Sequence, residues 1–66
     1  MTVTVNGQKR EIPPGTTVES LLTQLGLGGQ PAVVEVNKQL VPKRRHAEHP
    51  LAEGDSVEVV TLVGGG

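Results

Sequence analysis

Cysteine is absent from this chain of 66 residues, and so are phenylalanine, tyrosine and tryptophan. Without thiols there is no disulfide framework, no thiolate metal site and no cysteine nucleophile. A reactive sulfur, if the chain carries one, cannot sit on a side-chain thiol. Without aromatic rings the core must be aliphatic, and nothing is available to stack on bases. Charge of one sign is scarce as well. Six Lys and Arg oppose seven Asp and Glu, for a formal net charge of −1, a balance that speaks against nucleic-acid binding through phosphates. Long apolar runs are missing too: the longest span two or three residues. No signal peptide and no membrane span are read, and a soluble, cytoplasmic protein is expected. A chain of this length has room for one small core.

What is present alternates and turns. Met1-Thr2-Val3-Thr4-Val5 has the period of a half-buried strand. Asn6-Gly7 follows, a strong signal for a two-residue hairpin because both positions of a type I′ turn need positive φ. The returning strand, Gln8 to Ile12, then pairs Val5 with Gln8, Val3 with Arg10 and Met1 with Ile12, which sends Ile12 to the core face. Pro13-Pro14-Gly15 ends the hairpin. Thr16-Thr17-Val18-Glu19 reads as a capping box with Thr16 as the N-cap. Val18, Leu21, Leu22 and Leu25 fall on one helical stripe. Gly26 is placed as the residue just past the helix, and Gly28-Gly29 with Pro31 prevents its continuation.

Ala32 to Val36 is the next strand, with Ala32, Val34 and Val36 facing one way. A turn at Asn37-Lys38-Gln39 leads to the short apolar piece Leu40-Val41, stopped by Pro42. Lys43 to His49 is polar and irregular, or at most one helical turn. His49-Pro50-Leu51 is extended, Glu53-Gly54-Asp55 is a turn, and Ser56 to Val63 is the last strand. The order suits an α+β domain: one helix across one face of a mixed four- to five-stranded sheet, first and last strands adjacent and parallel. The long connection between Glu11 and Ser56 supplies the crossover such a pair needs. This is the β-grasp arrangement of ubiquitin-like proteins, with residues 1–63 as the single domain and 64–66 as a flexible glycine tail.

The last strand carries two features. Val57, Val59, Thr61 and Val63 share one face, and Glu58, Val60 and Leu62 the other. The helix covers only one face, so Val60 and Leu62, with Val33, form an exposed apolar patch suited to a partner, unless a loop residue such as Leu27 or Leu51 folds over them. The strand then runs into Gly64-Gly65-Gly66. Three residues reach about 10 Å past the strand, and glycine presents no Cβ to a narrow channel. An ionised carboxylate is a poor electrophile until it is converted to a species with a better leaving group, such as an acyl-adenylate. A frayed terminal tail is the alternative.

Over nearly its full length the chain resembles the ThiS family of sulfur carriers of thiamine biosynthesis. The resemblance rests on Val36-Asn37, Val41-Pro42, Leu51, Gly54-Asp55, Val57-Glu58-Val59-Val60 and the ending Val63-Gly64-Gly65-Gly66. Lys43 stands where the family usually has Arg, and His46 where Trp is common. The resemblance implies that an E1-like adenylyltransferase of the ThiF type activates the Gly66 carboxylate with ATP and magnesium. Sulfur from a cysteine-derived persulfide then displaces AMP, and the resulting thiocarboxylate donates sulfur to a thiazole synthase of the ThiG type. Gly64 and Gly65 would thread the partner's active site. The chain itself would be a co-substrate, monomeric when free, with no cofactor or metal of its own and no catalytic residue.

Three rivals remain open. One is the small subunit of molybdopterin synthase, which shares the fold and the glycine ending but is typically longer. The others are a ubiquitin-like modifier joined to lysines and an interaction module with an inert tail. Lys43-Arg44-Arg45 is either a steering patch for an acidic partner surface or a solvated basic loop. His46 and His49 are not expected to hold a metal, because Pro50 breaks any helix there and no cysteine can join them. No Ser-His-Asp set and no phosphate-cradling glycine pattern are found.

Overall fold

A computed structural model describes residues 1–61. Its elements are β1 (Thr2–Val5), β2 (Gln8–Glu11), α1 (Val18–Gln24), β3 (Ala32–Val36), β4 (Gln39–Val41), a 3-10 helix (Lys43–Glu48) and β5 (Ser56–Thr61). The five strands form one sheet in the order β2-β1-β5-β3-β4. β1 and β5 are parallel; the other pairs are antiparallel. This is the β-grasp arrangement, with the last strand at the centre. Leu62 and Val63, expected to continue that strand, lie outside the described residues.

The first hairpin has the expected register, Val5 opposite Gln8 and Val3 opposite Arg10. Asn6 and Gly7 take φ of 49° and 84°. Such left-handed values suit glycine and are tolerated by asparagine, whereas a β-branched residue would clash. The Met1–Ile12 pairing closes through Ile12 N to Met1 O, 2.8 Å, and the Met1 amine to Ile12 O, 2.7 Å. A second turn of the same hand joins β3 to β4 at Asn37 and Lys38, φ 51° and 69°. It is one residue shorter than the sequence suggested, because Gln39 already pairs with Val36.

Helix α1 begins one residue later than the capping-box reading placed it. Thr17 is the N-cap, its side-chain oxygen accepting from Ser20 N at 3.1 Å. Thr16 is buried instead, 5% exposed, its hydroxyl donating to Pro13 O at 2.7 Å. A capping residue needs extended backbone and a free acceptor two or three residues upstream of the amides it serves. The Thr16 hydroxyl is turned toward Pro13 O and Thr17 presents the acceptor to Ser20 N, so the role passes to its neighbour. At the other end Gly26 N bonds to Thr23 O and Leu27 N to Leu22 O, at 3.0 and 2.8 Å. These are the two bonds of a Schellman motif, and the positive φ of Gly26, 78°, makes it possible.

The stripe Val18, Leu21 and Leu22 is buried against Val3, Val5, Val34, Val36, Val57 and Val59 of the sheet, with Ile12, Val41 and Leu51 completing the core. Leu25, Leu27, Met1 and Ala32 pack at its edge. The segment after β4 is more regular than expected, two turns of 3-10 helix in place of one at most. Its His46 is buried at 7% exposure, with Nε2 3.0 Å from Val41 O, where that nitrogen donates. The surrounding Lys43, Arg44 and Arg45 are solvent-facing.

If Thr17 is the cap, Thr17→Ala lowers the unfolding free energy by about 1 kcal/mol, measured by urea denaturation. A silent Thr17→Ala would return the cap to Thr16.

Candidate functional site

The candidate site begins where β5 ends. Gly64, Gly65 and Gly66, expected to thread a partner and carry the reacting carboxylate, lie outside the described residues, as does Leu62. What the structure does place is the strand that leads to them. Along one edge β5 pairs with β3 through five consecutive positions, from Val36 opposite Val57 to Ala32 opposite Thr61. Along the other it pairs with β1 at only two, Thr4 opposite Ser56 and Val5 opposite Val57.

One asparagine side chain extends that second edge, and another, at the end of β3, anchors the strand's start. Asn6 Oδ1 accepts from Val59 N at 2.8 Å, and Asn6 Nδ2 donates to Val59 O at 3.1 Å. Asn37 Oδ1 accepts from Ser56 N, while its Nδ2 donates to Asp55 Oδ1, both at 3.0 Å. Each asparagine already sits at a left-handed turn position, and the sequence pattern marks both as turn residues only. The further role is invisible to local pattern, since Asn6 and Val59 are 53 positions apart.

Val60 points away from the core, 59% exposed, and Val33 opposite it is 40% exposed. Leu40, paired with Glu35, is 63% exposed and shares this outer face. Neither loop residue that might have covered the patch does so: Leu51 is in the core and Leu27 packs at its margin. The apolar surface at Val60 is therefore open to solvent. Beside it lies a cross-strand pair of like charge, Glu35 opposite Glu58, and the two carboxylates flank a shallow depression also lined by Asn6, Val33 and Val60.

Among the described residues no cluster of three or more His, Cys, Asp and Glu could hold a metal ion. His46 is committed to the Val41 carbonyl inside the fold. Also among the described residues, no helix is long and apolar enough to cross a membrane.

The ThiS family model matches residues 3–66. The sulfur carrier protein ThiS of Escherichia coli is 32% identical over 66 residues, with both chains covered in full. A thiazole synthase of Paramagnetospirillum magneticum is 38% identical over 66 residues, all of this chain but 20% of that protein. The thiazole synthase of Magnetococcus marinus matches over the same share, so the chain spans about a fifth of the length of these two relatives. Among solved structures, a thiamine biosynthesis protein (ThiS) from Geobacter metallireducens superposes with a TM-score of 0.83 at 28% identity, both chains covered in full.

The Glu35–Glu58 pair generates a prediction. Like charges directly opposite on a sheet repel, so Glu58→Gln raises stability by a few tenths of a kcal/mol at low ionic strength. The gain shrinks in about 1 M salt, where screening acts over roughly 3 Å. Thermal melts of both forms across a salt series check it.

Proposed function

This chain belongs to the ThiS family, and we propose that it is a sulfur carrier of thiamine biosynthesis whose working group is the Gly66 carboxylate. The observation that carries the reading is the extent of the family match, which runs through the core and on to the last glycine. A full-length correspondence with a sulfur carrier of the same size supports it. The absence of cysteine agrees, since the sulfur is then held at the terminus and not on a side chain.

In this reading an E1-like adenylyltransferase of the ThiF type supplies ATP and magnesium in the cytoplasm. A Gly66 carboxylate oxygen attacks the α-phosphorus and pyrophosphate leaves, giving an acyl-adenylate. The terminal sulfur of a cysteine-derived persulfide attacks the activated carbonyl and AMP departs. A thiol then cleaves the resulting acyl disulfide, and the thiocarboxylate remains. Nothing in this sequence of steps asks the chain to move a proton or bind a nucleotide. Its part is to hold out an unobstructed end, for which Gly64 and Gly65 are suited by their lack of a Cβ. A thiazole synthase of the ThiG type is the acceptor of the sulfur. Two thiazole synthases contain a segment similar to this whole chain, an arrangement that would keep carrier and acceptor together. The outer-face patch at Val60 is the docking surface in this account, with Leu62 joined to it on the sequence alternation of the last strand.

Incubation with a ThiF-type enzyme, ATP, magnesium and a persulfide donor is expected to shift the intact mass by one oxygen-to-sulfur exchange. No shift in the presence of a competent enzyme would overturn the carrier reading, and adducts on lysines of other proteins would replace it with a protein modifier. An extra bulky residue beyond Gly66 is expected to abolish the exchange while leaving the melting curve unchanged. For the docking patch, Val60→Asp and Leu62→Asp are each expected to raise the KM for the carrier in adenylation. Unchanged kinetics in still-folded variants would remove the patch from the account.

A further inference from the structure

The structure assigns Asn6 a second role, that of a positioning residue that pins Val59 and thereby fixes where the reactive end leaves the sheet. The argument starts from the mismatch in strand length. β1 stops at Val5 and its chain turns back at Asn6-Gly7, whereas β5 continues to Thr61. The last main-chain bond from this side is Asn6 N to Val57 O, 2.9 Å. Beyond it, the next groups of β5 facing this edge are the N–H and C=O of Val59. The Asn6 carboxamide meets both, accepting at 2.8 Å and donating at 3.1 Å. A primary amide has the donor and acceptor of a peptide unit, so the side chain supplies one more rung of the ladder than the backbone of β1 can reach.

Other residues that tolerate this turn lack that pair of groups. Glycine and aspartate both accept positive φ here. Glycine offers no side chain, and aspartate offers an acceptor to Val59 N but sets a second oxygen against Val59 O. Asparagine alone among the three satisfies the turn and the strand together. Val59 is also a core residue on its side-chain face, so its backbone is held by Asn6 while its side chain is held by the helix layer. Six residues separate it from Gly66. Play at Val59 shifts the point from which the chain sets out toward its terminal carbonyl, and misplacement of a reacting atom is costly in rate even when binding is intact.

This assignment rests on the carrier reading, and the experiment separates the two. Wild type, Asn6→Gly and Asn6→Asp are compared in two measurements. In amide hydrogen exchange of the free proteins, Asn6→Gly is expected to speed exchange at Val59 about tenfold relative to Val34 in the same sample. In adenylation by the ThiF-type enzyme, followed by pyrophosphate exchange, kcat is expected to fall about tenfold in Asn6→Gly. The KM should stay within about twofold, because the apolar side chains of Val60 and Val33 are kept; Asn6→Asp falls between the two. A contact that merely stabilised the fold would leave kcat at the wild-type value in folded protein. Unaltered exchange at Val59 overturns the clamp, and a normal kcat despite faster exchange overturns the positioning role. Wild-type protein that is never adenylated overturns the carrier reading itself, and this assignment with it. Should Asn6→Gly fail to fold, Asn6→Asp decides both measurements.

Discussion

A strand in the middle of a sheet must find hydrogen-bond partners along both of its edges, and β5 is such a strand. The backbone groups of a buried strand are costly to leave unpaired, so its order depends on what stands on either side. On the β3 side the ladder is continuous. On the β1 side it is short, and the Asn6 side chain makes up the difference at Val59, while the Asn37 side chain caps the strand's beginning from the β3 side. The strand that leads toward the glycines is thus held by neighbours drawn from the beginning and the middle of the chain. In the carrier reading, that is the mechanical requirement for a small domain that works through its terminus.

The two faces of the sheet divide the remaining work. The inner face carries valines that pack on Val18, Leu21 and Leu22 of the helix. With no aromatic side chain available, the core relies on many branched aliphatic contacts, and His46 is drawn in beside them with its ring nitrogen satisfied by a carbonyl. The outer face keeps Val33, Leu40 and Val60 in solvent, next to two opposed carboxylates. Neither feature helps the isolated fold: exposed apolar area gains nothing from burial, and the like charges repel. In the carrier reading, a partner that covers the valines would account for the first.

Local pattern carried most of this architecture. The Asn6-Gly7 turn determined the hairpin register, since a two-residue loop leaves one way to pair alternating side chains. The helical stripe and its glycine stop were equally legible, because period and cap chemistry lie within a few residues. The exposure of Val60 could be posed from alternation on β5 but not decided, as covering loops come from elsewhere. Misread features turned on competition or distance. Thr16 and Thr17 are chemically equivalent as caps, and only the turn at Pro13 decides between them. His46 fell in a stretch read as polar and irregular, and only the Val41 carbonyl explains its burial. The bond from Asn6 to Val59 spans nearly the whole chain, which no local window can see. As for the candidate site, the glycine ending was legible as composition alone, and the device that leads to it was not.

The topology also links reactivity to integrity. β1 and β5 are parallel neighbours joined only by a long crossover, so their pairing gathers the chain's two ends and requires everything between them to be in place. β5 cannot be held at both edges unless the hairpin, the helix and β3 have all formed. A partly folded chain would offer the same glycines without the Asn6 bond or the paired strand behind them. In the carrier reading an activating enzyme that binds strand and end together then discriminates folded from unfolded carrier with no further signal. In that reading the selectivity follows from the position of one strand, because only the folded chain holds β5 in place up to Thr61 and so presents its end from a fixed point.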